Sequence, residues 1–310
     1  MGWKQINIRK YVAEIKKNMN LEVSDEIIIK DLLLTLILAE FQKEKGTFTE
    51  LIFKGGTLLS RNYLKYHRFS EDLDFVHKDS NYLRTLSRNQ RERKIKLFID
   101  AYAPELKKVA DSLEMDFSIN RSDVRYYTIL SGRTVYIFRL YYGREEYIKI
   151  EINFIEKLIY KPREISIKAI TDFFDSKELL FILGFNIENF KVLSYSIKEI
   201  ILEKYRALLT RPALKERDIF DLHLIQNSLD VDIEKVVEKI RASSSIKKNL
   251  SKIIEEKLGS LKERVFFRSD ERISDLAIIK YNRKEFDEFK SKIEPILIKI
   301  CELFSQRKSI

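Results

Sequence analysis

The stretch "LIFKGGTLLSRNYLKYHRFSEDLDF" runs from Leu51 to Phe75 and carries two of the chain's eight glycines side by side. It closes on two aspartates, Asp72 and Asp74, one residue apart. The apolar residues before Lys54 read as a short β run, Gly55 and Gly56 turn the chain, Thr57 to Lys65 looks helical, and "LDFVH" after Asp72 reads as a second strand. Residues two apart on a strand leave from one face, so the two carboxylates point the same way. Two readings are open. One is an ordinary turn before a solvated strand edge. The other is a phosphate cradle facing a metal site. Bare glycines let phosphate approach backbone amides at a helix start, with the Thr57 hydroxyl beside them. Paired carboxylates repel each other unless a cation sits between them, and Mg2+ is the hard, oxygen-seeking ion that suits this role.

Upstream, "IIIKDLLLTLILAEF" (Ile27 to Phe41) is broken by Lys30, Asp31 and Glu40. It is too short and too charged to span a bilayer and reads as a buried helix from Glu26 to about Lys45, capped by Ser24 or Asp25 and ended by Gly46. Downstream, Tyr82 to about Leu113 is helical in pattern, and Pro104 is expected to kink or split it. "VRYYTIL", "TVYIFRLYY" and "EYIKIEINF" then form a meander of hairpins. In the last of these Ile148, Ile150, Ile152 and Phe154 share one face, with Lys149, Glu151 and Asn153 on the other. Glu151 supplies a third carboxylate if its strand neighbours that of Asp72 and Asp74. Beyond Pro162, apart from a possible strand at Phe190–Tyr195, the pattern is amphipathic helix to the end. The expected fold class is α+β: a mixed sheet flanked by helices over residues 1–162, followed by a mainly helical domain over 163–310.

The totals are compatible with this. The chain has 310 residues, 45% of them apolar, and only four prolines, so a sizeable core is expected and disorder is not. The first residues, "MGWKQINIRKYVAEIKK", lack an apolar signal core. The lone cysteine, Cys301, forms no internal disulfide and suits a reducing cytosol. The net charge of +10 is spread evenly: residues 1–160 carry 28 basic and 23 acidic groups, and 161–310 carry 30 and 25. Charge therefore points weakly to an anionic partner and to no basic tail.

The residues "FKGGTLLSRNYLKYHRFSEDLDF" resemble the GG[ST]…R-[FY]-S-x-D-[IL]-D pattern of the AbiEii/AbiGii toxin family, within the DNA polymerase β-like nucleotidyltransferase superfamily. A second block, "KEIILEKYRALLTRPALKERDIFDLHLI" (Lys198 to Ile225), resembles the family's E-K-x-x-A-L…R…R-D-x-x-D-L segment. "YIKIEINF" lies between them, where the family carries its third carboxylate. The likeness covers roughly residues 50 to 225, and the remainder reads only as helices.

By that resemblance the chain is an enzyme that transfers NMP from an NTP to an acceptor. Gly55, Gly56 and Thr57 would hold the β- and γ-phosphates. Asp72, Asp74 and Glu151 would hold two Mg2+ ions, with Glu151 beside the acceptor hydroxyl. Lys204 would meet the triphosphate and Asp218 would lie near the nucleotide. Read without the family, Lys204 is a solvated helix lysine behind a Ser196–Glu199 capping box, and Asp218 pairs with Lys215 or caps a helix. Arg206, Arg217 and Asp221 stay open between the two readings. Arg68 is placed to reach a phosphate or to pair with Glu71 or Asp72, and Ser70 to orient the strand entry. His67, His77 and His223 show no ligand spacing and read as structural or solvent-facing.

For the acceptor, "RTLSRNQRERKIK" (Arg84 to Lys96) sets six basic groups against Glu92. On one helix Arg84, Arg88 and Arg91 share a face able to track an RNA backbone, or simply a solvated face. Tyr126, Tyr127, Tyr136, Tyr141, Tyr142 and Tyr147 either stack unpaired bases or pack within the sheet. The family implies tRNA as the favoured acceptor, a toxin role and a separately encoded antitoxin partner. Alternatives are a protein or small-molecule acceptor, and a non-catalytic RNA- or partner-binding protein on the same scaffold.

Overall fold

The computed structural model describes residues 3–19, 23–44, 46–168, 190–243, 249–268, 273 and 277–306. The helical expectation for residues 169–189 lies outside them. Packing groups the chain into two units, residues 1–156 with 162–195, and residues 157–161 with 196–310.

The first unit is built on a seven-stranded mixed sheet. Its strands are β1 (Leu51–Lys54), β2 (Asp72–His77), β3 (Tyr127–Leu130), β4 (Val135–Tyr141), β5 (Tyr147–Asn153), β6 (Arg163–Ser166) and β7 (Lys191–Ser194), in the order β3-β4-β5-β2-β1-β7-β6. The meander β3-β4-β5 is antiparallel, as its short hairpin connections demand. β5 then pairs in parallel with β2, which places the two segments of interest side by side. β6 and β7 form an antiparallel pair at the far edge, where β7 runs parallel to β1. The strand at Arg163–Ser166 departs from the helix expected there. It is only four residues long and its partner lies well downstream, so local periodicity carries no trace of it.

Ile148, Ile150 and Ile152 of β5 are fully buried. Helices α1 (Trp3–Met19) and α2 (Asp25–Glu44) precede the sheet. α2 is apolar nearly all round and, as such a helix must be, is buried along Leu32–Leu34 and Leu36–Ala39. Among the described residues no helix is long and apolar enough to cross a membrane.

The helix expected over Tyr82–Leu113 is two helices, and the break is not at Pro104. The short α4 (Ser80–Thr85) follows a one-turn α3 (Gly55–Leu58), and α5 runs unbroken from Arg88 to Ser112 with Pro104 inside it. The break falls at Leu86–Ser87 because Ser87 and Gln90 form a reciprocal capping box that starts a new helix. α5 survives its proline because Ile95, Ile99, Tyr102, Leu106 and Val109, at helical spacing, are all buried. Arg84 is thereby removed from the α5 face: it donates to the Ile155 carbonyl at 2.9 Å, while Arg88 pairs with Glu92. The shared Arg84–Arg88–Arg91 face does not form. The tyrosines resolve mostly as packing. Tyr126 meets Tyr141 edge-on, Tyr127 meets Phe138, and Tyr136 meets Phe154.

The second unit is helical: α6 (Ile197–Thr210), α7 (Glu216–Leu224), α8 (Ile233–Ala242), α9 (Leu250–Lys262) and α10 (Arg283–Gln306). They close on Tyr205, Phe220, Ile240, Ile254, Phe286, Ile293 and Ile300. Cys301 lies in this core, and burial, aided by the Glu302 charge, pushes its thiol up to about 12. A thiol reagent at pH 8 should therefore leave the native chain unlabelled and react fully after unfolding, because only the thiolate attacks. Mass spectrometry before and after denaturation checks this, and rapid labelling of the native chain would show that α10 opens.

Candidate active site

β1 ends at Lys54, which stands opposite Asp74 in the antiparallel register, so the glycine turn starts beside a carboxylate. Gly55 has φ +84, a left-handed conformation natural to glycine. A Cβ there would fall 2.2 Å from Oδ2 of Asp74, so both backbone and space exclude a side chain. A Cβ on Gly56 would lie 2.8 Å from Nη2 of Arg68 and 3.2 Å from Oγ of Ser70. These two side chains are thus packed against the glycine turn. Arg68 is buried and donates to the Phe69 carbonyl at 2.9 Å, while Glu71 pairs with Lys30. Thr57 is buried and its hydroxyl donates to the Asp72 carbonyl at 2.5 Å, which ties the turn to the strand.

Asp72 and Asp74 do leave one face of β2, and the parallel register with β5 sets Asp72 opposite Lys149 and Asp74 opposite Glu151. Three carboxylates thus share one sheet face. Burial, opposed by Lys149 and reinforced by the Asp74 charge, holds Asp72 above the ordinary aspartate pKa. Burial first and Asp74 second raise Glu151, against the pull of Lys54 and Lys149. Lys149 reaches Asp72 at 2.8 Å; burial works against its ammonium, yet Asp72 and Asp74 together keep its pKa above the usual lysine value. On the other side Lys54, 7% exposed, bonds Glu156 at 2.5 Å, and Glu156 also accepts from the Tyr195 hydroxyl at 2.7 Å.

Lys54, Lys149 and Glu156 were not assigned from sequence. Lys149 carried a signal, since it shares the polar face of an alternating strand with Glu151. Glu156 carried none.

Among the described residues no three acid, histidine or cysteine side chains converge closely enough to hold a metal ion as they stand. The donor set nevertheless fits one. It is all carboxylate oxygen, it lies on adjacent strands, and burial together with the Asp74 charge raises the pKa of Asp72 and Glu151. Lys149 now supplies the counter-charge that a divalent cation would bring.

The second block lies in the helical unit. Lys204, 8% exposed, is not solvated: its ammonium sits 2.6 Å from Asp218 and 2.6 Å from Asp221. Arg211 pairs with Asp218 as well. Arg206 pairs with Glu203 on its own helix. The capping box expected at Ser196 is half made, with Ser196 accepting from the Glu199 amide while the Glu199 carboxylate turns to the amides of Ile159 and Tyr160. The histidines read as structural. His67 and His77 are buried, His77 against Phe98, and His223 packs on Phe286 and Phe289.

A glycine turn set against an Asp-x-Asp strand, with a third carboxylate on the neighbouring strand, is an arrangement suited to a phosphate and a divalent cation. The family described as nucleotidyl transferase AbiEii toxin of type IV toxin–antitoxin systems matches residues 37–304, and the chain belongs to it. Among solved structures it is similar to MenT4, a nucleotidyltransferase toxin from Mycobacterium tuberculosis H37Rv. That likeness has 16% identity and a TM-score of 0.52, and covers 92% of this chain and 89% of that one. No curated protein matches the sequence. Membership of a type IV system implies an antitoxin partner.

Proposed function

We propose that this toxin transfers NMP from an NTP to an RNA acceptor, with tRNA the favoured substrate, and that it depends on Mg2+. The observation that carries the reading is the register of β1, β2 and β5. It gathers Asp72, Asp74 and Glu151 on one face beside a turn where even a Cβ has no room. By the family pattern the backbone of Gly55 and Gly56 would hold the β- and γ-phosphates, with Thr57, Arg68 and Ser70 beside the turn. Asp72, Asp74 and Glu151 are the residues that would hold Mg2+, two ions by the family pattern. Bound there, the metal would neutralise charge on the attacking and leaving oxygens. The acceptor hydroxyl attacks the α-phosphorus, the bond from that phosphorus to the α,β-bridging oxygen breaks, and pyrophosphate leaves. By the family pattern Glu151 would lie beside the acceptor hydroxyl and help to take its proton. By the same family pattern Lys204 and Asp218 act on the nucleotide.

The test incubates purified protein with Mg2+, total tRNA and each α-labelled NTP in turn, alongside Asp72→Ala. Label entering tRNA, and lost in the variant, supports the reading and names the nucleotide. Label that survives ribonuclease moves the acceptor to protein or a small molecule. RNA binding with no transfer of any kind favours a non-catalytic binding protein.

A further inference from the structure

A second concave site lies on the other face of the sheet. Side chains alternate across a strand, so Tyr136 and Ile129, paired with each other, face away from the side that carries Asp74 and Glu151. There the first half of α5 and the β3–β4 end of the sheet enclose a cavity of about 890 Å3. Cations line it from both walls: Arg93 and Lys96 from α5, Arg121 and Arg133 from the segments around β3 and β4. The single acid among its described lining residues is Glu92, already held by Arg88 and Arg133. Arg121 is tied to Asp100 at 2.6 Å. Arg93 and Lys96 are exposed and have no carboxylate partner among the described residues. Val124, 84% exposed, adds an apolar rim.

We infer that this cavity anchors the phosphate backbone of the RNA acceptor, away from the reacting end. Four cations around one acid make a site for polyanions, and each phosphate that an unpaired cation neutralises releases counterions condensed on the RNA. The ligand must be a polymer. β2 is three strands in from the β3 edge, roughly 15 Å at ordinary strand spacing, and the carboxylates lie on the opposite face as well. A mononucleotide held in the cavity touches nothing at Asp74, whereas a folded RNA reaches around the edge strand to both places. The inference rests on RNA being the acceptor.

The test measures binding of labelled total tRNA to the full chain across a salt series, and of NTP separately. The variant is Arg93→Ala/Lys96→Ala, both exposed, with Lys284→Ala/Lys292→Ala as a charge-matched control on exposed positions of α10. The α5 variant should bind tRNA on the order of tenfold more weakly near physiological salt, with a slope of log K against log salt shallower by roughly 1.5. Its KM for tRNA should rise while kcat and NTP affinity hold. Wild-type tRNA binding that the variant retains, or that the control loses equally, overturns the anchor and leaves the RNA reading standing. Wild-type protein that binds no tRNA while transferring label to another acceptor overturns both.

Discussion

Asp74→Asn is expected to lower nucleotide transfer by at least about 10^3-fold, equivalent to about 4 kcal/mol of transition-state stabilisation. Asp74 is where the site's elements meet. It stands opposite Lys54 on one side and Glu151 on the other, and its carboxylate fills the space that Gly55 leaves. An amide keeps the shape and removes the charge. The same change should leave the metal-free fold as stable or more so. Asp74 adds to the raised pKa of both Asp72 and Glu151, and a carboxyl whose folded pKa is raised costs stability once pH climbs past its unfolded value. That cost grows until pH has passed the folded values, and removing Asp74 relieves part of it. Thermal melts should therefore show an unchanged or higher Tm without metal and a smaller upward shift on adding Mg2+. Transfer within tenfold of wild type would sink the assignment of Asp74 to the reacting centre.

The largest stability effect is expected at Lys239 in the helical unit. Its side chain is 1% exposed and its ammonium bonds the Glu199 carboxylate, itself fully buried, and the Lys157 carbonyl at 3.1 Å. Glu199 in turn receives the amides of Ile159 at 3.2 Å and Tyr160 at 2.8 Å. This clasp fastens residues 157–161 to the helices they pack with. Lys239→Ala leaves a buried carboxylate without its counter-charge, at a cost of about 3–5 kcal/mol. Domains are stable by only about 5–15 kcal/mol, so the loss is a large share of what holds the unit folded. Removing the charge as well, with Glu199→Gln on the alanine background, should recover part of the loss, since an amide is cheaper to bury unpaired than a carboxylate. Urea titrations of both variants check this. A change under about 1 kcal/mol for Lys239→Ala would mean that water reaches Glu199 and the clasp is not dry.

The two units differ in how far the amino-acid order announced them. In the first, Gly55-Gly56 and Asp72-x-Asp74 are short-range signals: a turn needs residues tolerant of φ > 0, and a strand's two-residue period fixes which side chains share a face. Lys204 shows the opposite case. On its helix it has the spacing of a solvated residue, and only the fold brings Asp218 and Asp221 to it, from the following helix. The start of α2 was legible from Ser24 and Asp25, whereas the capping box at Ser87 went unread and the break was expected at Pro104 instead. A proline inside a long helix costs one hydrogen bond and a clash, and α5 outweighs that cost with a buried stripe.

By itself the sequence determined the local chemistry of this protein. It specified a glycine turn before paired carboxylates, a strand with Glu151 on its polar side, a buried apolar helix at Ile27–Phe41, and helices such as those from Ile197 onward. These follow from backbone preference and side-chain period, which act over a few residues. The tertiary structure alone decided that β5 lies beside β2, so that Glu151 meets Asp74 and Lys149 meets Asp72. It also decided that Lys54 faces Glu156 across 102 residues, and that Arg93 and Arg121 line one cavity. Strand order and register are settled by burying the apolar faces of the central strands together, and no single segment carries that information.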